Sequence, residues 1–95
     1  MRVSVVLMVL NEELRTVLDA GSRRAAETSD TTEAIVHMVA PIVEYAADHP
    51  ANGAAYQREL LFGPSDDRYR TEGLGLVAAL QQQIATRLAD DAGRQ

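Results

Sequence analysis

The side chains of this sequence that could perform catalysis or bind metal are few. It contains two histidines, no cysteine, and four serines, none of which lies in the G-x-S-x-G motif of a nucleophilic serine. Glu33 and His37 are four residues apart, so on a helix they would share a face and could supply half of a metal site. No third ligand is evident, and a surface pair of side chains is the simpler interpretation. We therefore predict that the chain is not an enzyme, and that it has no catalytic residue, metal or cofactor.

Glycine-rich nucleotide-binding patterns are also missing. Gly73-x-Gly75 lacks the third glycine and the preceding strand of a dinucleotide-binding motif. The net charge of −5, with nine arginines spread along the chain and no lysine, does not provide the clustered positive charge that binds phosphates. We expect no direct binding of this chain to nucleic acid. The absence of cysteine fits a cytoplasmic protein, which is the location we expect.

An apolar run at residues 3–10 raises the question of a membrane segment. Eight residues are far fewer than the roughly 20 needed to span a bilayer, and Asn11-Glu12-Glu13 follows directly. The helical pattern continues through the run. We predict that it is the buried start of a helix and that the protein does not contact a membrane.

Apolar residues recur at intervals of three and four along most of the chain, which predicts amphipathic helices. We place helices at about 3–26, 31–48, 51–62 and 66–90, in one domain covering residues 1–95. Asp30 and Glu33 are spaced as a capping box for the second helix, and Ser65 or Asp66 could cap the fourth. No run of residues has the alternation of a β-strand. The predicted fold is all-α, a four-helix antiparallel bundle. The first stripe consists of Val3, Val6, Leu7, Leu10, Leu14, Val17, Leu18 and Gly21.

The second helix is apolar on two adjacent stripes, which predicts a central helix with neighbours on two sides. Pro41 lies inside it and should bend the helix, since its ring presses on the carbonyl of His37 and it donates no hydrogen bond. Gaps between helices often open at such bends. His49 and Pro50 then form a corner, where we expect His49 to cap or pack. The two stripes are Ile35, Met38, Val39, Ile42, Tyr45 and Ala46, and beside them Val36, Ala40, Val43 and Ala47.

A mostly apolar group with a few polar atoms could form a small-molecule pocket around the bend. Residues at such spacing equally form an ordinary core, with Tyr56, Leu60 and Leu61 of the third helix directed inward. Two glycines of the fourth helix, Gly73 and Gly75, leave a choice: the helix begins after Gly75, or another backbone packs closely there. The candidate ligand-binding residues are His37, Met38, Pro41, Ile42, Tyr45, Tyr56, Leu60 and Phe62.

The order of these helices resembles the C-terminal regulatory domain of TetR-family transcriptional regulators. Residues 7–18 resemble the helix that links the family's DNA-binding bundle to this domain. The helix at 31–49 with its His49-Pro50 step, the segment 58–61, and the long helix ending at Gly93 are similar to the helices that follow. The resemblance thus extends from about residue 7 to residue 93.

The resemblance implies a domain that binds small hydrophobic effectors and forms dimers. Two departures limit it: no helix-turn-helix precedes residue 7, and the final helix pair of the family's dimer interface is missing. We therefore expect the effector-sensing core of a regulator without its DNA-binding domain, from a truncated or mis-started reading frame. We expect it to form a homo-oligomer or to pair with a full-length regulator. The alternative is a small helical interaction module without a ligand, for which spare apolar surface near Leu74, Ala78 and Ala85 would supply the contact.

Overall fold

The computed structural model describes residues 4–93, which form four α-helices joined by short loops. The helices are α1 (Val5–Ala26), α2 (Thr31–Asp48), α3 (Pro50–Phe62) and α4 (Arg68–Gly93). The prediction of an all-α fold is confirmed, and the described residues include no strand. Val3, with which the predicted first stripe begins, lies outside the described residues. Pro41 lies within α2, which continues from Thr31 to Asp48 without interruption; its bend stays a prediction.

Side-chain caps fix the start of α1 and α2. The Ser4 hydroxyl accepts a hydrogen bond from the Leu7 N–H (3.2 Å), and the Asp30 carboxylate accepts one from the Glu33 N–H (2.8 Å). Only this half of the predicted capping box forms. The Asp30 N–H donates instead to the hydroxyl of Thr28 (3.2 Å), which lies within reach of the Glu33 carboxylate.

The cap of α4 is Asp67, not Ser65 or Asp66 as the sequence suggested. Its carboxylate is 1% exposed and accepts hydrogen bonds from the N–H groups of Tyr69 (2.9 Å) and Arg70 (3.3 Å). The reason is a turn after α3, closed by a hydrogen bond from the Asp67 N–H to the Pro64 carbonyl (3.2 Å). This turn uses residues 65 and 66, so the helix starts later than expected.

The antiparallel arrangement that the sequence predicted holds for α1 and α2. Tyr45, near the end of α2, hydrogen-bonds to Glu13, in the first half of α1. Gly21, near the end of α1, lies against the backbone of His37 and Met38, in the first half of α2. The loop between the two helices is short, so they fold back on each other directly.

The arrangement of α4 corrects the prediction, because α4 runs parallel to α1. Asn11 hydrogen-bonds to Tyr69, and Ser22 hydrogen-bonds to Gln83, so the partners advance together along the two helices. The cause is the short α3. Its 13 residues span about 20 Å, and its contacts stay near one end of the bundle. The chain therefore crosses that end, and α4 starts beside the start of α1.

The guanidinium group of Arg87 joins α1 and α4 at the other end of the bundle. Arg87 of α4 donates to the carbonyl of Ala25 (3.2 Å) and to that of Thr28, both at the C-terminus of α1. The Ala25 carbonyl lies in the last turn of α1 and Thr28 lies just beyond it, where a cation is favourable at the negative end of the helix dipole. The contact joins α1 and α4 at the end opposite to α3.

The hydrophobic core is thin. The molecule measures 48 × 27 × 17 Å, and its radius of gyration of 14.7 Å exceeds the roughly 12 Å of a globular domain of this length. Few apolar side chains among residues 4–93 are buried for that reason. They are Leu7, Leu10, Ala25, Ala34, Met38 and Leu60.

Three predictions of burial are wrong as a result of this thin shape. Residues 5–10 of the N-terminal run are helical, but among its described residues only Leu7 and Leu10 are buried. The second stripe of α2 is uncovered at Val36 and Val43, and Leu61 of α3 points outward. No helix among residues 4–93 is both long enough and apolar enough to cross a membrane. The large apolar residues that are exposed are Val5, Val6, Met8, Val9, Val36, Val43, Leu61, Phe62, Leu74 and Leu88.

Candidate ligand cavity between the four helices

A cavity of about 330 Å³ lies where all four helices meet. Its volume is at the small end of the range for small-molecule sites. None of the residues lining it carries a charge, and most are aliphatic. They are Leu10, Leu14, Val17 and Leu18 of α1; Ile42, Tyr45 and Ala46 of α2; Asn52, Gly53, Tyr56, Gln57 and Leu60 of α3; and Val77 and Leu80 of α4.

The structure brings half of the predicted ligand-binding residues to this cavity. Ile42 and Tyr45 form its α2 wall, and Tyr56 and Leu60 form its α3 wall. Their sequence spacing placed them correctly relative to one another, because the corner at His49 folds α3 back beside α2. Ala46 and Gly53 meet across this corner, where a Cβ added to Gly53 would lie 3.5 Å from the Ala46 Cβ.

The other four predicted residues lie elsewhere. Met38 is buried in a cluster with Ala25 and Ala34 and does not line the cavity. His37 pairs with Glu33 on the helix surface, Pro41 is half-buried outside the lining, and Phe62 is 81% exposed. Phe62 is the last residue of α3, and its ring is left uncovered at that helix end.

Sequence reasoning missed the contribution of α1 and α4 to the cavity. Four of the lining residues belong to the predicted stripe of α1, and Val77 and Leu80 lie on α4. The stripes gave the correct face but indicated a solid core. A cavity depends on how closely the helices approach each other, which periodicity does not report.

Polar side chains from three helices meet at the cavity's rim. The Tyr45 hydroxyl donates to the Glu13 carboxylate and accepts a hydrogen bond from the Asn52 amide (3.3 Å). The His49 ring lies 4.7 Å from the Tyr45 ring, tilted by 38°. His49 thus packs at the corner as expected, and its side chain makes no capping hydrogen bond. Together these contacts hold the Tyr45 ring in place as a wall of the cavity.

Behind the cavity lies a buried polar cluster centred on Asn11, which is 0% exposed. The Asn11 amide oxygen accepts a hydrogen bond from the Tyr56 hydroxyl (2.6 Å), and the amide nitrogen donates to the Tyr69 carbonyl (2.9 Å). One side chain therefore joins α1, α3 and α4. Asn11 lies four residues after Leu7 and three before Leu14, so it shares the apolar face of α1 with them. A polar residue at such a position was the sequence signal that could have predicted its burial.

Tyr56 belongs to both the cavity wall and this cluster, and its surroundings favour the neutral phenol. Burial raises the pKa of Tyr56 to about 12, and the nearby Glu72 carboxylate adds to the shift. Glu72 also accepts a hydrogen bond from Arg15 (2.7 Å), which in turn pairs with Glu12. The Tyr56 hydroxyl thus remains a hydrogen-bond donor to Asn11 well into the alkaline range.

This pKa predicts how stability changes at high pH. The folded pKa of Tyr56, about 12, lies above its ordinary value of 10.0, so the stabilisation by the neutral phenol is complete below pH 10. It should be lost as the pH rises from 10 to 12. We expect urea unfolding followed by circular dichroism to show a steeper loss of stability across this range in the wild type than in Tyr56→Phe. Equal slopes in the two proteins would contradict this.

Gly73 allows the cluster to pack closely against α4. A Cβ there would lie 2.7 Å from Leu60 Cδ2, 2.8 Å from the Asn11 amide oxygen and 2.9 Å from the Tyr56 hydroxyl, whereas a Cβ at Gly75 would meet nothing within 4 Å. Of the two alternatives for these glycines, close packing applies to Gly73, although side chains rather than backbone approach it. Both glycines lie inside α4.

The two glycines form a matched pair for mutation. Gly75→Ala should stabilise the protein by up to about 1 kcal/mol, the difference in helix propensity between the residues. Gly73→Ala makes the same gain but must displace the hydrogen-bonded Asn11 and Tyr56, so we expect a net loss of about 1 kcal/mol. Thermal unfolding of both variants tests this. If both Gly73→Ala and Gly75→Ala stabilise the protein, Asn11 and Tyr56 can move to make room for the added methyl group at little cost.

The remaining groups that could do chemistry are not assembled into a site. The His37 imidazole lies 3.4 Å from the Glu33 carboxylate, as a surface pair. Among residues 4–93, no three side chains of the metal-binding types come together.

Comparisons with known proteins give no evidence of function, so the functional argument is based on the cavity. Neither families of related sequences, nor curated proteins, nor solved structures gave a match to this chain.

Proposed function

We propose that this chain is the effector-binding core of a TetR-like transcriptional regulator, and that the cavity holds a small hydrophobic molecule. The cavity carries the proposal: every helix contributes to it, it contains no charged side chain, and two of its walls meet at the His49–Pro50 corner. The TetR relationship itself rests on the resemblance in helix order. The cavity would support a ligand-binding role without that relationship.

A ligand in this cavity would act on α1 through direct contacts. The Tyr56 ring lines the cavity, and its hydroxyl is hydrogen-bonded to Asn11 of α1. A molecule that shifts the ring therefore strains a buried hydrogen bond, which is costly to leave unmade. In the proposed regulator α1 is the linking helix, so this contact would transmit occupancy of the cavity to that helix.

Thermal unfolding with a panel of uncharged hydrophobic compounds tests the proposal. A ligand that binds only the folded state raises the melting temperature by mass action. Val77→Phe, which fills the cavity from α4, should abolish the shift, and Tyr45→Ala should weaken it. Val43→Phe adds the same ring on the exposed side of α2 and should keep the full shift. If no compound shifts the wild type, or if Val77→Phe responds equally, the cavity is not a binding site.

A second candidate is the helical interaction module, and the uncovered apolar surface favours it. Val36 and Val43 of α2 are 53% and 60% exposed, and they lie in a surface groove with Ile35, Val39 and Ala40. Exposed apolar surface of this kind often marks a protein contact. Light scattering tests self-association. The measured mass of the wild type should exceed that of a monomer, and the double variant Val36→Ser/Val43→Ser should have the monomer mass. A monodisperse wild-type monomer would count against self-pairing.

A further inference from the structure

We infer that the cavity selects an uncharged, compact molecule that carries one hydrogen-bonding group, and that it rejects carboxylates and ammonium ions of the same size. This inference rests on the proposed ligand-binding function and adds the chemical class of the ligand. It follows from the charges, the volume and the polar rim of the cavity.

The absence of charge in the lining sets the first limit. All the lining residues are uncharged, and Tyr56 stays neutral because its pKa is raised to about 12. An ion that enters such a site loses its hydration without gaining a partner of opposite charge, so the neutral form of a molecule is strongly preferred.

Glu13 makes the rim unfavourable for anions in particular. It is an exposed carboxylate, it holds the Tyr45 hydroxyl, and the whole chain carries a net charge of −5. A ligand carboxylate at the rim would face Glu13 directly. An ammonium group could bind Glu13 only by competing with the Tyr45 hydroxyl, which would release the ring that forms the cavity wall.

The volume of about 330 Å³ sets the size of the ligand. It is about twice the roughly 150 Å³ of an apolar cavity that holds benzene, which implies a ligand of roughly a dozen non-hydrogen atoms. A medium-length alkyl chain or a substituted single ring has this size. Long acyl chains and large polycyclic compounds do not fit without movement of the helices.

The available polar atoms set the position of the ligand's hydrogen-bonding group. The Tyr56 hydroxyl is committed to Asn11. Asn52 uses one N–H for the Tyr45 hydroxyl, and within residues 4–93 its amide oxygen makes no hydrogen bond that would have to be broken. Leu10 and Leu60, by contrast, are buried hydrocarbon. The lining offers two amides, those of Asn52 and Gln57. We place the ligand's hydroxyl or carbonyl beside Asn52, because its bond to the Tyr45 hydroxyl holds that amide in position, with the apolar part of the ligand directed toward Leu10 and Leu60.

Calorimetric titration with matched ligands at neutral pH tests the class. We expect 1-octanol to bind with a Kd at least about tenfold lower than octanoate or octylammonium, because only the alcohol enters without burying a charge. Propylbenzene, which is neutral but forms no hydrogen bond, should also bind. Asn52→Ala removes the Asn52 contact to Tyr45 for both ligands but a ligand hydrogen bond only for the alcohol, so it should weaken 1-octanol about threefold to tenfold more than it weakens propylbenzene.

The possible failures are distinguishable. If 1-octanol and propylbenzene both fail to bind, the proposed ligand-binding function is wrong, and this inference fails with it. If octanoate or octylammonium binds as tightly as 1-octanol, the cavity binds ligands but the assignment of an uncharged class is overturned. If Asn52→Ala weakens both neutral ligands equally, or neither, the position of the hydrogen-bonding group is wrong.

Discussion

Replacing Gly21 by alanine should destabilise the protein by about 2–3 kcal/mol, at the upper end of the usual cost of overpacking. A Cβ at this position would lie 2.7 Å from the His37 carbonyl oxygen and 3.2 Å from the Met38 Cα. Both are backbone atoms of α2, so no side chain can rotate away to make room. The two helices would have to separate along their antiparallel contact, which also contains the buried Ala25, Ala34 and Met38.

Gly53→Ala is the matched control for this variant. Gly53 also lies in a helix next to another helix, but its added Cβ would sit at an ordinary contact distance of 3.5 Å from Ala46 Cβ. We expect urea unfolding to show little change or slight stabilisation for Gly53→Ala and a clear loss for Gly21→Ala. If Gly21→Ala gains stability, the close approach of α1 and α2 is not as the structure has it.

Replacing Asn11 by alanine should cost about 2–3 kcal/mol, because it removes two hydrogen bonds and leaves the Tyr56 hydroxyl, which donates to the Asn11 amide oxygen, without its partner. The Tyr69 carbonyl loses the bond from the Asn11 amide but lies within α4, where its helical hydrogen bond remains. The substitution also removes volume beside Gly73. Equilibrium unfolding measured by circular dichroism would give the loss directly.

A double-mutant cycle separates the hydrogen bond from general packing. Asn11→Leu keeps the side-chain volume but strands the Tyr56 hydroxyl, and Tyr56→Phe strands the Asn11 amide oxygen. The double variant strands neither of these two atoms, so its cost should fall short of the sum of the single costs by about 1 kcal/mol or more. Additive losses would mean that the 2.6 Å contact between Asn11 and Tyr56 contributes little to stability.

The sequence predicted the helices well because the signals for helices are local. Intervals of three and four residues between apolar side chains define a face wherever the helix packs, and Asp30 caps α2 as its residue type suggested. The corner at His49 and Pro50 was predictable for the same reason, since proline at the first turn of a helix fixes the backbone there. The pairing of Tyr45 with Tyr56 around the cavity followed from that corner.

The direction of α4 and the extent of the cavity were not predictable from local signals. Periodicity assigns a face to a helix but does not state which end of it lies beside which end of a neighbour. The burial of Asn11 was missed because the residue adjoins Glu12 and Glu13, which are exposed, and with them follows the end of the apolar run at residues 3–10. The exposure of Val36 and Phe62 was not predicted for a similar reason. Apolar character alone does not indicate whether a neighbouring helix packs over a residue.

The parallel pairing of α1 with α4 has a consequence for the folding pathway. The close approach of Gly21 to Met38 joins residues that are near in sequence, whereas the bonds from α1 to α4 span 57 to 62 residues. Closing the longer loop costs more chain entropy, and local contacts form faster. The α1–α2 hairpin should therefore nucleate first and α4 should dock last, so the wall of the cavity formed by Val77 and Leu80 is completed only in the final step of folding.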